Sequence, residues 1–208
     1  MKKLVIFDFN GTLTNNINLS EMIYNRISAK HNLKGLSAEE LIQIKSASSL
    51  KRVLKLGVPL HKIPKLYEES REIASEFVKD CELLPGIKEL LYKIKSSNIQ
   101  LAIVSSNSVS NIEEFLSMNE IEVFSIIEGK ASMKGKKRKL RKLLKENKYD
   151  VNEAIYIGDE VRDVNACKLL SLEVVAVSWG FEAIKTLEDS NPDYIAKSVD
   201  ELERLILN

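Results

Sequence analysis

The stretch FDFNGTLT, Phe7 to Thr14, ends an apolar run in an aspartate, sets a glycine three positions later and leaves an asparagine between them. The run leading into it, LVIFDF from Leu4, is short, bulky and without polar alternation. Such a segment fits a strand covered on both faces, as strands of parallel sheets are. Similar runs recur: IQLAIVS ending at Ser105, VFSIIEG ending at Gly129, AIYIGD ending at Asp159 and EVVAVSW ending at Trp179. Helical patterns separate them, among them IKELLYKIKSS from Ile87, NIEEFLSMNE from Asn111 and LRKLLKEN from Leu140. Ser110 and Glu113 have the spacing of a capping box for the second of these helices. Strands alternating with helices predict an α/β fold with a doubly wound, Rossmann-like parallel sheet.

Residues 15–83 break the rhythm. They hold helix-like patterns, LSEMIYNRISAKH and KLYEESREIASEFVK, with no convincing core strand between. The segment reads as a helical insertion, a cap, on a core made of residues 1–14 and 84–208. Gly11 to Asn16 and the LPGI stretch at Leu84 to Ile87 would be its hinges. An insertion directly after the first strand lies over the carboxyl ends of the sheet, where open parallel sheets bind ligands.

Composition narrows the function. The 208 residues carry 31 lysines and arginines against 30 aspartates and glutamates, so no global field steers the chain to nucleic acid or an anionic membrane. Two cysteines, Cys81 and Cys167, are too few for a disulfide framework or a thiolate metal cage, which fits a reducing cytoplasm. Lys2 and Lys3 precede an apolar run, but Asp8 interrupts it too early for a signal peptide, and no segment has the length of a membrane span.

Three strand ends carry polar residues whose chemistry converges. These are Asp8, then Ser105, Ser106 and Asn107, then Asp159 with Asp163 four positions on. Parallel strands would bring them together. The aspartates supply oxygen ligands for a hard cation such as Mg2+, which characteristically takes one or two carboxylates, several waters and a substrate phosphate. Taken singly, each has a plainer explanation as a helix cap or a solvated turn.

With these residues in view, the chain resembles the haloacid dehalogenase-like hydrolase superfamily, and within it the phosphoglycolate phosphatase-like group. DFNGTLT is similar to the first motif, IVSSN to the second, Lys136 in KGKKRKL to the third and IGDEVRD to the fourth, in the family's order. SWGF at Ser178 to Phe181 and PDYI at Pro192 to Ile195 resemble the tail of that group. The resemblance implies a magnesium-dependent phosphatase acting on a small phosphorylated metabolite. Asp8 would be the nucleophile that becomes an aspartyl phosphate. The metal would be held by Asp8, Asp159 and the backbone carbonyl of Asn10, with Asp163 nearby. Lys136, Ser105, Ser106 and Asn107 would hold the phosphate.

Lys136 lies in a basic stretch from Lys130 to Lys148, beside Lys134, Lys137 and Lys139. That run also reads as a solvated helix face, with Leu140, Leu143 and Leu144 as its apolar stripe. A nucleic-acid patch is the weaker reading, since only Tyr149 supplies an aromatic.

Asn10 departs from the pattern. The family's phosphatases have an aspartate there, which protonates the leaving oxygen and later activates water, and an amide does neither. The chain is then a slowed or differently assisted phosphatase, a member that binds a phosphorylated ligand or protein partner without turnover, or a phosphatase stalled by substitution. Asn10-Gly11 is also the dipeptide most prone to deamidation. Relatives that cleave carbon–halogen or phosphonate bonds lack the second aspartate too. Phosphonate cleavage would need a cap lysine such as Lys45, Lys51 or Lys55, while the acidic fourth motif argues against a metal-free dehalogenase. Lys51, Arg52 and His61 are the cap residues that could meet an anionic leaving group, and Trp179 is expected to pack at its strand end.

Overall fold

The structure is a computed structural model, and it describes residues 2–15, 17–33, 35, 58–77, 81–131 and 135–207. Lys45, Lys51, Arg52 and Lys55 lie outside the described residues.

Six parallel strands form the central sheet. They are β1 (Leu4–Phe7), β4 (Gln100–Val104), β5 (Phe124–Glu128), β6 (Ala154–Gly158), β7 (Glu173–Val177) and β8 (Tyr194–Ala196), in the order β5-β4-β1-β6-β7-β8. Two short strands, β2 (Thr14–Asn15) and β3 (Glu82–Leu83), pair antiparallel outside it. The strand that leads into Asp8, β1, sits centrally, with Leu4 opposite Gln100 of β4 on one side and Ala154 of β6 on the other.

The continuous apolar character of β1 follows from burial on both faces. Val5 and Phe7 enter one core with residues of α3 (Ile87–Ser96), α4 (Val109–Met118) and α8 (Val199–Leu207). Leu4 and Ile6 enter the other, with residues of α5 (Lys136–Glu146), α6 (Val161–Lys168) and α7 (Ile184–Asp189). Successive strand side chains point to opposite faces, so a four-residue strand feeds both layers. The outer strand β8 has no counterpart among the strands expected from the sequence.

Helix α4 corrects one expectation. Its cap is Ser108, whose Oγ accepts from Asn111 N–H at 3.2 Å, and Ser110 already lies inside the helix. The loop after β4 tightens early, through Asn107 N–H to Ser105 Oγ (3.2 Å) and Ser108 N–H to Asn107 Oδ1 (2.8 Å), so the helix begins two residues sooner.

Between β2 and β3 the described elements are α1 (Ile17–His31), a short 3-10 turn at Leu60–Lys62 and α2 (Ile63–Glu76). The two helices share a small apolar cluster of Ile27, Leu66 and Ile73, joined at the rim by Arg26 to Glu76 (2.7 Å) and His31 to Glu69 (2.5 Å). His61 is exposed. No helix among the described residues is long and apolar enough to cross a membrane.

Candidate active site

At the carboxyl end of β1 the chain turns sharply. The N–H groups of Leu13 and Thr14 both bond to the Phe9 carbonyl, and Gly11 takes φ 76°, a left-handed conformation that favours glycine. A Cβ at Gly11 would also run into the Asp159 carboxylate. The turn therefore delivers Asp8 beside the end of β6, since Asp8 N–H bonds to the Ile157 carbonyl at 2.8 Å.

Three carboxylates converge there. One oxygen from each of Asp8, Asp159 and Asp163 lies within 4.8 Å of the other two, and all three residues are buried. Lys136, at the start of α5, reaches in from the facing layer: its Nζ is 2.7 Å from Asp8 Oδ2 and 2.5 Å from Asp163 Oδ1. The same ammonium stands 5.4 Å from the centroid of the Tyr156 ring, whose hydroxyl donates to the Val104 carbonyl at 3.2 Å. In the sequence Lys136 is hard to tell from its basic neighbours. The structure separates them, for Lys136 is buried at 2% exposure while Arg138, Arg141, Lys142 and Lys145 are exposed and Leu140, Leu143 and Leu144 are buried in the core.

Asp159 is held differently. Its oxygens accept from Thr12 Oγ1 (3.0 Å) and from Phe181 N–H (2.7 Å), both neutral donors. The loop after β7 carries the second donor over the site, and Trp179 fastens it by donating Nε1–H to the Thr12 carbonyl at 3.2 Å. Gly180 packs so closely on Asp159 that a Cβ there would overlap it. Sequence reasoning gives Thr12, Phe181 and Tyr156 no part; the SWGF stretch is the one signal pointing to this loop. Trp179 packs against the core at its strand end, as expected. Replacing it, Trp179→Phe, should remove one hydrogen bond, worth about 1 kcal/mol, and lower the melting temperature by about 2–4 °C in a thermal melt.

The electrostatics follow from burial and neighbours. Burial pushes the Asp8 carboxyl up, but Lys136 and Arg162 outweigh it and hold Asp8 below the ordinary carboxylate range. Burial disfavours the Lys136 ammonium, yet Asp163 and Asp8 keep it charged and raise its pKa. Burial takes Asp163 up to about 6 against the pull of Lys136. Asp159 is driven well above its usual value by burial and by the carboxylates of Glu160, Asp8 and Asp163. Three carboxyl groups converge on one ammonium in a buried space. That donor set, all oxygen and anionic, fits a hard divalent cation.

The second strand end contributes Ser105, Ser106 and Asn107, all buried. Lys130 N–H to the Asn107 carbonyl (2.6 Å) and Ala131 N–H to the Ser105 carbonyl (2.9 Å) tie this loop to the end of β5. Asn107 is 7% exposed, and its Oδ1 accepts from Ser108 N–H and Asn111 Nδ2. That fixes the amide orientation and leaves Nδ2 as a buried donor with no partner among the described residues. Asn10 sits at the turn, partly exposed, with its backbone bridged to Thr14. Glu160 and Arg162 pair with each other at 2.5 Å.

The sequence model of the haloacid dehalogenase-like hydrolases matches residues 5–177. The chain belongs to that family. As a haloacid dehalogenase-like hydrolase it is similar to a phosphoglycolate phosphatase of Synechococcus elongatus, 29% identical over 95% of this chain and 94% of the relative. It is also similar to a phosphoglycolate phosphatase of Photobacterium profundum, 25% identical over 98% of this chain and 94% of the relative. Among solved structures, a Clostridium acetobutylicum protein described as a predicted phosphatase superposes with a TM-score of 0.82 at 21% identity, covering 100% of this chain and 99% of the other. CbbY of Rhodobacter sphaeroides, solved in complex with phosphate, gives 0.68 at 19% identity, covering 97% and 96%. At these identities the structural likeness establishes the shared fold.

Proposed function

We propose that this haloacid dehalogenase-like hydrolase is a magnesium-dependent phosphatase of small phosphate monoesters, acting in the cytoplasm and slowed at one step by Asn10. The carrying observation is the buried bridge from Asp8 through Lys136 to Asp163, with Asp159 within 4.8 Å, at the carboxyl ends of adjacent parallel strands. The curated relatives named phosphoglycolate phosphatases support the reaction class and point to a small phosphorylated metabolite. The core would comprise residues 1–14 and 84–208, with 15–83 as a cap that encloses the substrate.

Asp8, kept ionised by Lys136, attacks phosphorus and forms an aspartyl phosphate as the alcohol leaves. Lys136, already 2.7 Å from the attacking carboxylate, neutralises a phosphate oxygen next to it. Ser105 and Ser106 and the unpaired Nδ2 of Asn107 supply hydrogen bonds to the remaining oxygens. Asp8, Asp159 and the carbonyl of Asn10 would hold Mg2+, with Asp163 beside them. When bound, the cation would supply positive charge to offset the repulsion between the Asp8 carboxylate and an anionic phosphate. Asn10 offers no proton to the leaving oxygen and takes none from water, so both half-reactions run without an acid–base group at this position.

Magnesium titration calorimetry tests the site without turnover. Asp159→Ala and Asp8→Ala should each abolish the binding isotherm seen with the parent, and Asn107→Ala should leave it in place while weakening orthovanadate binding in the presence of Mg2+. Binding of Mg2+ unaltered in both aspartate variants would refute the assignment. A second reading, a member that binds a phosphorylated ligand without turning it over, is favoured by Asn10 alone. It predicts saturable, magnesium-linked phosphate-ester binding with no product even after Asn10→Asp.

A further inference from the structure

From Asp8 to Thr14 every residue is buried except Asn10, which is partly exposed to water. The residue after it is fixed by packing: Gly11 stands at φ 76°, and any side chain there would collide with Asp159. The chain thus holds a bare glycine against the one asparagine that solvent reaches in this turn. Of all its asparagines, only Asn10 precedes glycine. A peptide nitrogen whose own residue has no Cβ is the least hindered nucleophile toward the amide before it, because no side chain of that residue stands against the five-membered ring that forms.

We propose that Asn10 is a self-modification site, deamidating in this turn to an aspartate that supplies the acid–base carboxylate. The inference rests on the phosphatase reading above. When the turn opens transiently, the Gly11 nitrogen, buried in the closed turn, loses its proton to hydroxide and bonds to Asn10 Cγ, the side-chain amide leaves as ammonia, and water then opens the cyclic imide. Opening at Cγ breaks the new C–N bond and leaves aspartate with the main chain intact. Opening at the main-chain carbonyl leaves an iso-aspartyl link, which lengthens the backbone by one methylene. The turn discriminates between them. Gly11 abuts Asp159, Thr12 Oγ1 bonds to Asp159 at 3.0 Å, and Leu13 N–H bonds to the Phe9 carbonyl at 2.9 Å. A backbone longer by one methylene would break these contacts, so only the aspartyl product restores the closed turn. Water is the only co-reactant.

A small conversion would suffice to change behaviour. If the carboxylate is worth ~10² to 10⁴ in rate, converting about one molecule in a hundred doubles turnover at the lower bound.

The test keeps freshly purified chain folded at mildly alkaline pH in heavy-oxygen water. Peptide mass mapping, with chromatographic separation of the aspartyl and iso-aspartyl peptides, and magnesium-dependent hydrolysis of an aryl phosphate are followed together, beside Asn10→Gln, which would need a six-membered ring, and Asn10→Asp. The expected result is heavy oxygen at residue 10, with turnover rising in step with the aspartate fraction and no such rise in Asn10→Gln. Absence of label at residue 10, or turnover that ignores the aspartate fraction, overturns the inference while an active Asn10→Asp leaves the phosphatase reading standing. An inactive, folded Asn10→Asp overturns both.

Discussion

Asn10→Asp is expected to raise magnesium-dependent hydrolysis of an activated aryl phosphate by roughly 10² to 10⁴, the range for supplying a positioned general acid and base. The rest of the proposed machinery is already assembled. Asp8 is held ionised beside Lys136, and Asp159 and Asp163 complete an anionic pocket, so the substitution adds a proton carrier to an existing site. The gain should be larger for alkyl than for aryl phosphates, because a poor leaving group depends more on being protonated. Adding Asp8→Asn in the same background should remove the activity, since an amide is a poor nucleophile toward phosphorus. Steady-state rates on the single and double variants, with mass checks of residue 10 before each assay, decide the matter. A folded, magnesium-binding Asn10→Asp that hydrolyses none of a panel of small phosphate esters would leave ligand binding as the better account.

Lys136→Met should lower stability markedly in the absence of metal. Its ammonium is the shared partner of two buried carboxylates, and removing one member of a buried ionic cluster typically costs about 3–5 kcal/mol. The effect should fall toward the lower bound, because Asp163, at about 6 already, can take up a proton once the lysine is gone. For a chain of this size that is a melting temperature lower by roughly 6–20 °C. Mg2+ should recover part of the loss by replacing the missing charge. Lys142→Met is the control, for Lys142 is 58% exposed and pairs with Glu146 at only 3.8 Å, an interaction worth about 0–1 kcal/mol. Equal losses at the two lysines, read by thermal melts with and without Mg2+, would contradict the central place given to Lys136.

The elements legible in the sequence were those whose signal is burial itself. β1, β4, β6 and β7 are covered on both faces and so read as unbroken apolar runs ending one to two residues past the true strand. β8 escaped because it has three residues at the sheet edge, with Tyr194 exposed, and so lacks that run. β2 and β3, two residues each, carry no periodicity at all. Within the site, Asp8, Asp159 and Asp163 were legible because charged residues at strand ends contrast with their surroundings, and the structure brings their oxygens together. What holds Asp159 was not. A threonine hydroxyl, the peptide N–H of Phe181 and the close approach of Gly180 are contributions of position rather than of residue type, and position comes only with the fold.

The register of β1 bears on the order in which the molecule can be made. Leu4 has its two partners 96 and 150 positions further along, at Gln100 and Ala154, and none nearby. On a chain synthesised from its amino end, Asp8 emerges well before β6 and waits for it to follow. At about 5–20 residues per second that interval is roughly 8–30 s. Throughout it, four consecutive apolar side chains that are wholly buried in the native state stand without their sheet neighbours. Contacts so distant in sequence carry a high loop-closure entropy and form slowly. A nascent chain halted before Gly158 can therefore present no assembled carboxylate cluster, and its first strand becomes the segment that a holdase or another unfinished copy would meet.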